Sequence, residues 1–203
     1  MLDAMRPIGG AYISALAAVC FAAGLNVYAT VAMLGLLGRA GAIVLPASLH
    51  GIESWWVIGA CVVLFCVEFF GDKIPAFDLI WNALHTFVRV PIAAVLAYQA
   101  TAQLSPVEQM ACTLAGGLIA LAAHSGKTAA RVMVTPSPEP LSNIALSLSE
   151  DAAAIFLVWL ATRHPYAAGA IAAVAVIIVV AMIRFVWRAV RALFVGAERE
   201  MRG

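Results

Sequence analysis

Leu64-Phe-Cys-Val-Glu-Phe-Phe-Gly-Asp-Lys-Ile-Pro75 sets a glutamate, Glu68, inside an apolar helix-forming run and ends it with Gly71, Asp72, Lys73 and Pro75. An ionisable side chain at bilayer depth costs roughly 2.5 to 3.5 kcal/mol on insertion scales, so such groups face a protein interior or a water-filled path. The rest of the chain favours the membrane reading. Of 203 residues, 64% are hydrophobic and 11% charged, with a mean hydropathy of +0.99, too little polar surface to cover a soluble globule. The formal net charge of +1 offers no field for nucleic acid, and no nucleic-acid partner is expected.

A helix needs about 20 mainly apolar residues to span a bilayer. On that measure the chain reads as an all-α integral membrane protein of about six transmembrane helices. The segments run from about Ala11 to Leu37, Trp55 to Phe70, Phe77 to Ala102, Val107 to Val134, Ser142 to Thr162, and Tyr166 to Val190. The uncharged run from Pro7 to Gly38 far exceeds a cleavable signal core, so it is expected to stay as an uncleaved first span. Pro91 predicts a kink in the third segment. Thr135 to Pro140 carries three prolines and reads as a loop, while Ile43-Val-Leu-Pro46 suits an interfacial or re-entrant stretch.

Lys and Arg gather on one side of this scheme, which places both termini in the cytoplasm. Arg184, Arg188 and Arg191 share one helix face and are expected to anchor it on anionic lipid. Cys20, Cys61, Cys66 and Cys112 have no ligand spacing and read as small buried hydrophobes.

The two halves look alike. Ala22 to Met33 can be set against Ala122 to Met133, and each is followed by an apolar segment with one acid, Glu68 or Glu150. Two three-span halves, 7–104 and 105–196, with a polar tail at 197–203, make a 3+3 inverted-topology repeat in one membrane domain. Broken helices are then expected at Gly24-Leu-Asn26 and at His124-Ser-Gly126.

Several of these stretches resemble a known family. Gly24-Leu-Asn-Val-Tyr28, Glu68-Phe-Phe-Gly-Asp-Lys-Ile-Pro75, Asp78 with Trp81, His85-Thr-Phe-Val-Arg89, Ser137 to Asn143 and Glu150-Asp151 are similar to the bacterial membrane family Domain of Unknown Function 4126. The resemblance implies a compact inner-membrane protein and carries no biochemical role. Val90 stands where a second proline is expected before Pro91.

The chemistry lies in two rows. Asp78, Asn82, His85 and Arg89 share one face of the third segment, and His124, Lys127 and Arg131 one face of the fourth. With Asn26, Glu68, Asp72, Glu150 and Asp151 they form the expected path for an ion or small polar solute, open to proton coupling since a shielded carboxylate can load and release a proton. Buried pairing that locks helices together, as in a scaffold subunit, is the competing reading. A lipid phosphate gripped by Arg89, Lys127 and Arg131, in a binding protein or lipid-modifying enzyme, is a third. Catalysis is the weakest reading. Gly126-Lys-Thr128 is no phosphate loop, because Leu121 occupies the position of the required glycine. No cofactor or metal is expected, since no helix turn supplies two ligands. The expected partners are membrane lipid, the solute and a second copy of the chain, and Gly35-x-x-Gly38-x-x-Gly41 and Gly116-Gly117 permit close helix packing within or between chains.

Overall fold

The computed structural model describes the backbone of residues 9–71, 75–134 and 140–200; side chains at 72–79, 131–143, 186, 189–190 and 192–200 fall outside it. Among the described residues the fold is all helix: α1 (Gly10–Leu25), α2 (Val27–Arg39), a 3-10 turn (Ala47–Glu53), α3 (Trp55–Gly71), α4 (Pro75–Ala100), α5 (Pro106–Val134), α6 (Pro140–Arg163) and α7 (Pro165–Glu200). Four stretches are long and apolar enough to cross a membrane: Ile80–Ala100, Pro106–Ala130, Ile144–Arg163 and Pro165–Phe185. The 3-10 turn with α3, bent by 61°, makes up to five.

The expected first span is two helices. α1 has 16 residues and α2 has 13, so at about 1.5 Å per residue neither crosses a hydrocarbon core of about 30 Å alone. Asn26 divides them. Its backbone turns extended at φ −147° and ψ 104°, and its Oδ1 accepts the Ala29 amide at 2.9 Å, capping α2. Thr30 Oγ1 donates to the Asn26 carbonyl at 2.8 Å. A polar side chain has replaced the ladder bond that an apolar residue could not.

The matching break does not occur. α5 runs unbroken through His124, Ser125 and Gly126. Gly126 serves proximity instead, since a Cβ there would lie 2.5 Å from Val179 Cγ2 on α7. Gly24 has a similar task, with Ala120 O only 2.4 Å from where its Cβ would be. These glycines report helix contact and not helix interruption. α4 likewise continues through Pro91. The Thr135-to-Glu139 part of the predicted loop lies outside the described residues.

α1 is the hub, packed against α4, α5, α6 and α7. Its Ala18, Ala22, Ala23 and Gly24 are buried, and such small residues let helix axes approach where hydrophobic burial offers no driving force. The outer surface is the reverse, with Trp56 88% exposed and Phe70, Phe87, Leu118 and Ile177 all exposed. Large apolar side chains outside and alanine, glycine and charge inside is the distribution that lipid as solvent dictates. The cysteines follow it in part. Cys20 is buried, whereas Cys66 is exposed on α3 and Cys61 and Cys112 are half-buried, all four as free thiols. Those three lie on helix faces that a lipid solvent tolerates, which corrects the expectation of four buried thiols.

Candidate functional site: a buried charge network at a broken helix

α3 buries few residues, and one of them is its acid. Glu68 is fully buried, as is Arg89 on α4, and the two form a direct ion pair through Arg89 Nη2 and Glu68 Oε1. Lys127 on α5 reaches the same Glu68 oxygen at 3.3 Å and Glu150 Oε2 on α6 at 3.3 Å. One ammonium thus holds carboxylates from two helices. It also meets the Leu25 carbonyl at the end of α1, 3.5 Å away. Beside it, Asn26 Nδ2 donates to Asp151 Oδ1 at 2.8 Å. The break in the chain and the charges therefore occupy one place.

The inward row of α4 continues the network. Asn82, His85 and Arg89 are buried together, as the spacing predicts. Arg89 Nη1 donates to His124 Nδ1 at 3.0 Å and, more weakly, to Asn82 Oδ1 at 3.5 Å. A guanidinium can only donate, so His124 Nδ1 accepts and its proton sits on Nε2. That Nε2–H donates to Thr86 Oγ1 at 2.8 Å, and Thr86 donates in turn to the Asn82 carbonyl at 3.4 Å. His85 has the opposite tautomer. Its Nδ1–H donates to the Trp81 carbonyl at 2.8 Å, and Nε2 accepts from the Tyr28 hydroxyl at 2.9 Å. The Tyr28 ring meets the imidazole edge-on, and Trp81 stacks on it at 4.3 Å.

Of the expected path residues, the structure brings together Asn26, Glu68, His85, Arg89, His124, Lys127, Glu150 and Asp151. The side chains of Asp72, Asp78 and Arg131 lie outside the described residues. Arg184, Arg188 and Arg191 are exposed on α7, where Arg184 and Arg188 border a shallow surface groove with Phe185. Two polar partners escaped sequence reasoning. Tyr28 follows the break by two residues, and Thr86 adjoins His85, so proximity to the break and to the histidine row was the available signal. Among the described residues no three His, Cys, Asp or Glu side chains converge as a metal site. Glu68 Oε2 and Arg89 Nε have no hydrogen-bond partner among them, an unusual cost for fully buried charged groups.

Searches of curated proteins and of solved structures return no match. A family profile, described as a Domain of unknown function (DUF4126), matches residues 13–185. That stretch holds every described residue of the charge network, from the break at Asn26 to Asp151, and by it the chain belongs to the DUF4126 family.

Proposed function

We propose that the protein is a small secondary transporter or permease for an ion or small polar solute, coupled to protons through the Glu68–Lys127–Glu150 group. The observation that carries this reading is the single ammonium shared by two acids beside a helix break. Replacing buried ion pairs by well-packed apolar residues is often neutral or stabilising, so a network kept inside so apolar a chain argues for use. A lysine between two acids can lean to either, and an interrupted helix gives the backbone freedom to follow. Midplane charge at a discontinuous helix is the arrangement on which alternating access is built in other transporters.

In this reading α1 and α2 together count as one broken span and α3 to α7 as five more. Both termini lie on the cytoplasmic side of a bacterial inner membrane, where Arg184, Arg188 and Arg191 meet anionic lipid. The halves 7–104 and 105–196 are inverted copies. Support comes from packing: exchanging the halves carries the α4–α5 pair onto the α7–α1 pair, and both are close contacts. Gly116 approaches Ala97 Cβ in the first, and Gly169 approaches Ser14 Cβ in the second, each at 2.7 Å from the Cβ it lacks.

The test is flux. With the protein in sealed vesicles under an imposed proton gradient, Glu68→Gln and Glu150→Gln should each reduce proton-coupled uptake to background while the protein stays folded. The amide keeps size and hydrogen bonding but cannot take up charge. Wild-type protein that moves no proton, cation or small polar solute from a broad panel would defeat the reading, and the scaffold alternative, favoured by the full burial of Glu68 and Arg89, would replace it.

His124 links protonation to the carboxylate group. Protonated His124 would turn a second donor toward Arg89, with Lys127 one turn along α5 and Thr86, Asn82 and His85 on α4 as its other neighbours. That contact must open, which releases Arg89 from its present pose and leaves Glu68 to Lys127. His85 can gain a proton without rearrangement, because the Tyr28 oxygen can accept as well as donate. Nitrogen-15 NMR of labelled histidine should therefore find His124 as the Nε2–H tautomer and His85 as the Nδ1–H tautomer near neutral pH. Matching tautomers, or a charged His124 at that pH, would remove that link.

A further inference from the structure

At the end of the bundle away from the charges lies a cavity of about 440 Å³. It is framed by Tyr12, Leu16 and Val19 of α1, by the Ile43–Leu49 segment, and by Leu96 of α4 and Ala161 of α6. We propose that this cavity receives the acyl chain of a membrane phospholipid.

Its wall specifies a guest that needs no hydrogen-bond donor. Tyr12 and Thr162 are the two polar side chains on it, and both hydroxyls donate to backbone, Tyr12 to the Ala100 carbonyl and Thr162 to the Trp159 carbonyl, each at 2.7 Å. Neither has a proton left for a guest. Apolar cavities of this kind stay dry and take hydrocarbon, and the volume falls in the range of ligand pockets, about 300 to 1,000 Å³.

Position identifies the source of that hydrocarbon. The cavity lies where α1 begins and where α4 and α6 end, in a bundle whose outer face is built for lipid. Val44, one of its lining residues, is 96% exposed, so the wall is continuous with the outer surface. An acyl tail from the adjoining leaflet can enter there without crossing the polar face of the protein.

The site is separate from the charge network and does not depend on the transport reading. From Val19, on the cavity, to Leu25, whose carbonyl meets Lys127, α1 rises about 9 Å at 1.5 Å per residue. Cys20, Phe21, Ala22, Ala23 and Gly24 fill that interval, all of them buried.

Cross-linking decides it. Full-length protein in detergent is given a few equivalents of a phospholipid carrying a diazirine at its tail end, irradiated and mapped by mass spectrometry. Adducts are expected on Tyr12, Leu16 and Leu45, suppressed about tenfold by excess unlabelled phospholipid, a competition worth one decade in occupancy. Adducts on Leu114 and Leu118, which are exposed on α5, should respond far less. Ala15→Phe and Ala161→Phe, each placing a ring in the cavity, should remove the first set and spare the second. Cavity adducts that neither competitor nor filling reduces, or labelling confined to the outer helix faces, would overturn the proposal. Should both filled variants fail to fold, the competition alone decides.

Discussion

Arg89→Leu is expected to destabilise the protein by about 3 to 5 kcal/mol, the loss typical when one member of a buried ion pair is removed. The guanidinium carries three contacts, to Glu68, to His124 and to Asn82. Without it Glu68, fully buried on α3, depends on a lysine that it already shares with Glu150. The companion variant Glu68→Leu/Arg89→Leu should recover most of the loss. It leaves Lys127 with Glu150 as a balanced pair, and leucines suit an apolar interior. Unfolding in detergent measures both. The double variant also separates the two readings of the network, since a folded double variant that transports nothing where the wild type transports assigns the pair to function. Equal stability of the wild type and Arg89→Leu would mean that the pair holds nothing together.

Gly24→Ala should cost about 3 kcal/mol, at the upper end of overpacking effects, because the obstacle is backbone. The new methyl would sit 2.4 Å from Ala120 O, 2.8 Å from Ala120 Cα and 2.7 Å from Ala123 Cβ. No rotamer relieves a carbonyl and a Cα, so α1 and α5 must part, drawing Lys127 away from the Leu25 carbonyl. Gly117→Ala on α5 is the control. Its nearest neighbour would be Ala94 Cβ at 3.5 Å, ordinary contact, and the helix preference of alanine over glycine should leave it neutral or more stable by up to about 1 kcal/mol. Comparing thermal midpoints of the two variants checks the pair. A Gly24→Ala protein as stable as Gly117→Ala would contradict the close approach of the two helices.

Much of this was legible because its physics is local. Apolar runs fix helices, prolines at 75, 106, 140 and 165 open four of them, and Ser105 with Glu108 caps α5 reciprocally, Ser105 N to Glu108 Oε2 at 3.1 Å and Glu108 N to Ser105 Oγ at 3.4 Å. The inward faces of α4 and α5 follow from helical spacing alone. The break at Asn26 was readable as a polar residue in an apolar run, but His124-Ser-Gly126 has the same appearance and stays helical. What separates them is tertiary. His124 and Lys127 find partners by reaching from an intact helix, whereas Asn26 spends its Oδ1 on the Ala29 amide and so takes over the work of the ladder. Which acid meets which base was equally out of reach, because Lys127, from a third helix, is what meets both Glu68 and Glu150.

The break at Asn26 has a consequence for synthesis. Its clasp, Asp151, lies 125 residues downstream, and at about 5 to 20 residues per second the ribosome needs roughly 6 to 25 seconds to supply it. During that interval the uncharged stretch between Pro7 and Gly38 has no Asp151 to receive the Asn26 amide. An α-helix that satisfies its own backbone is then the best available state. The nascent first segment is thus free to insert as one rod, and its division into α1 and α2 becomes a late event, completed when α5 and α6 arrive with Lys127 and Asp151.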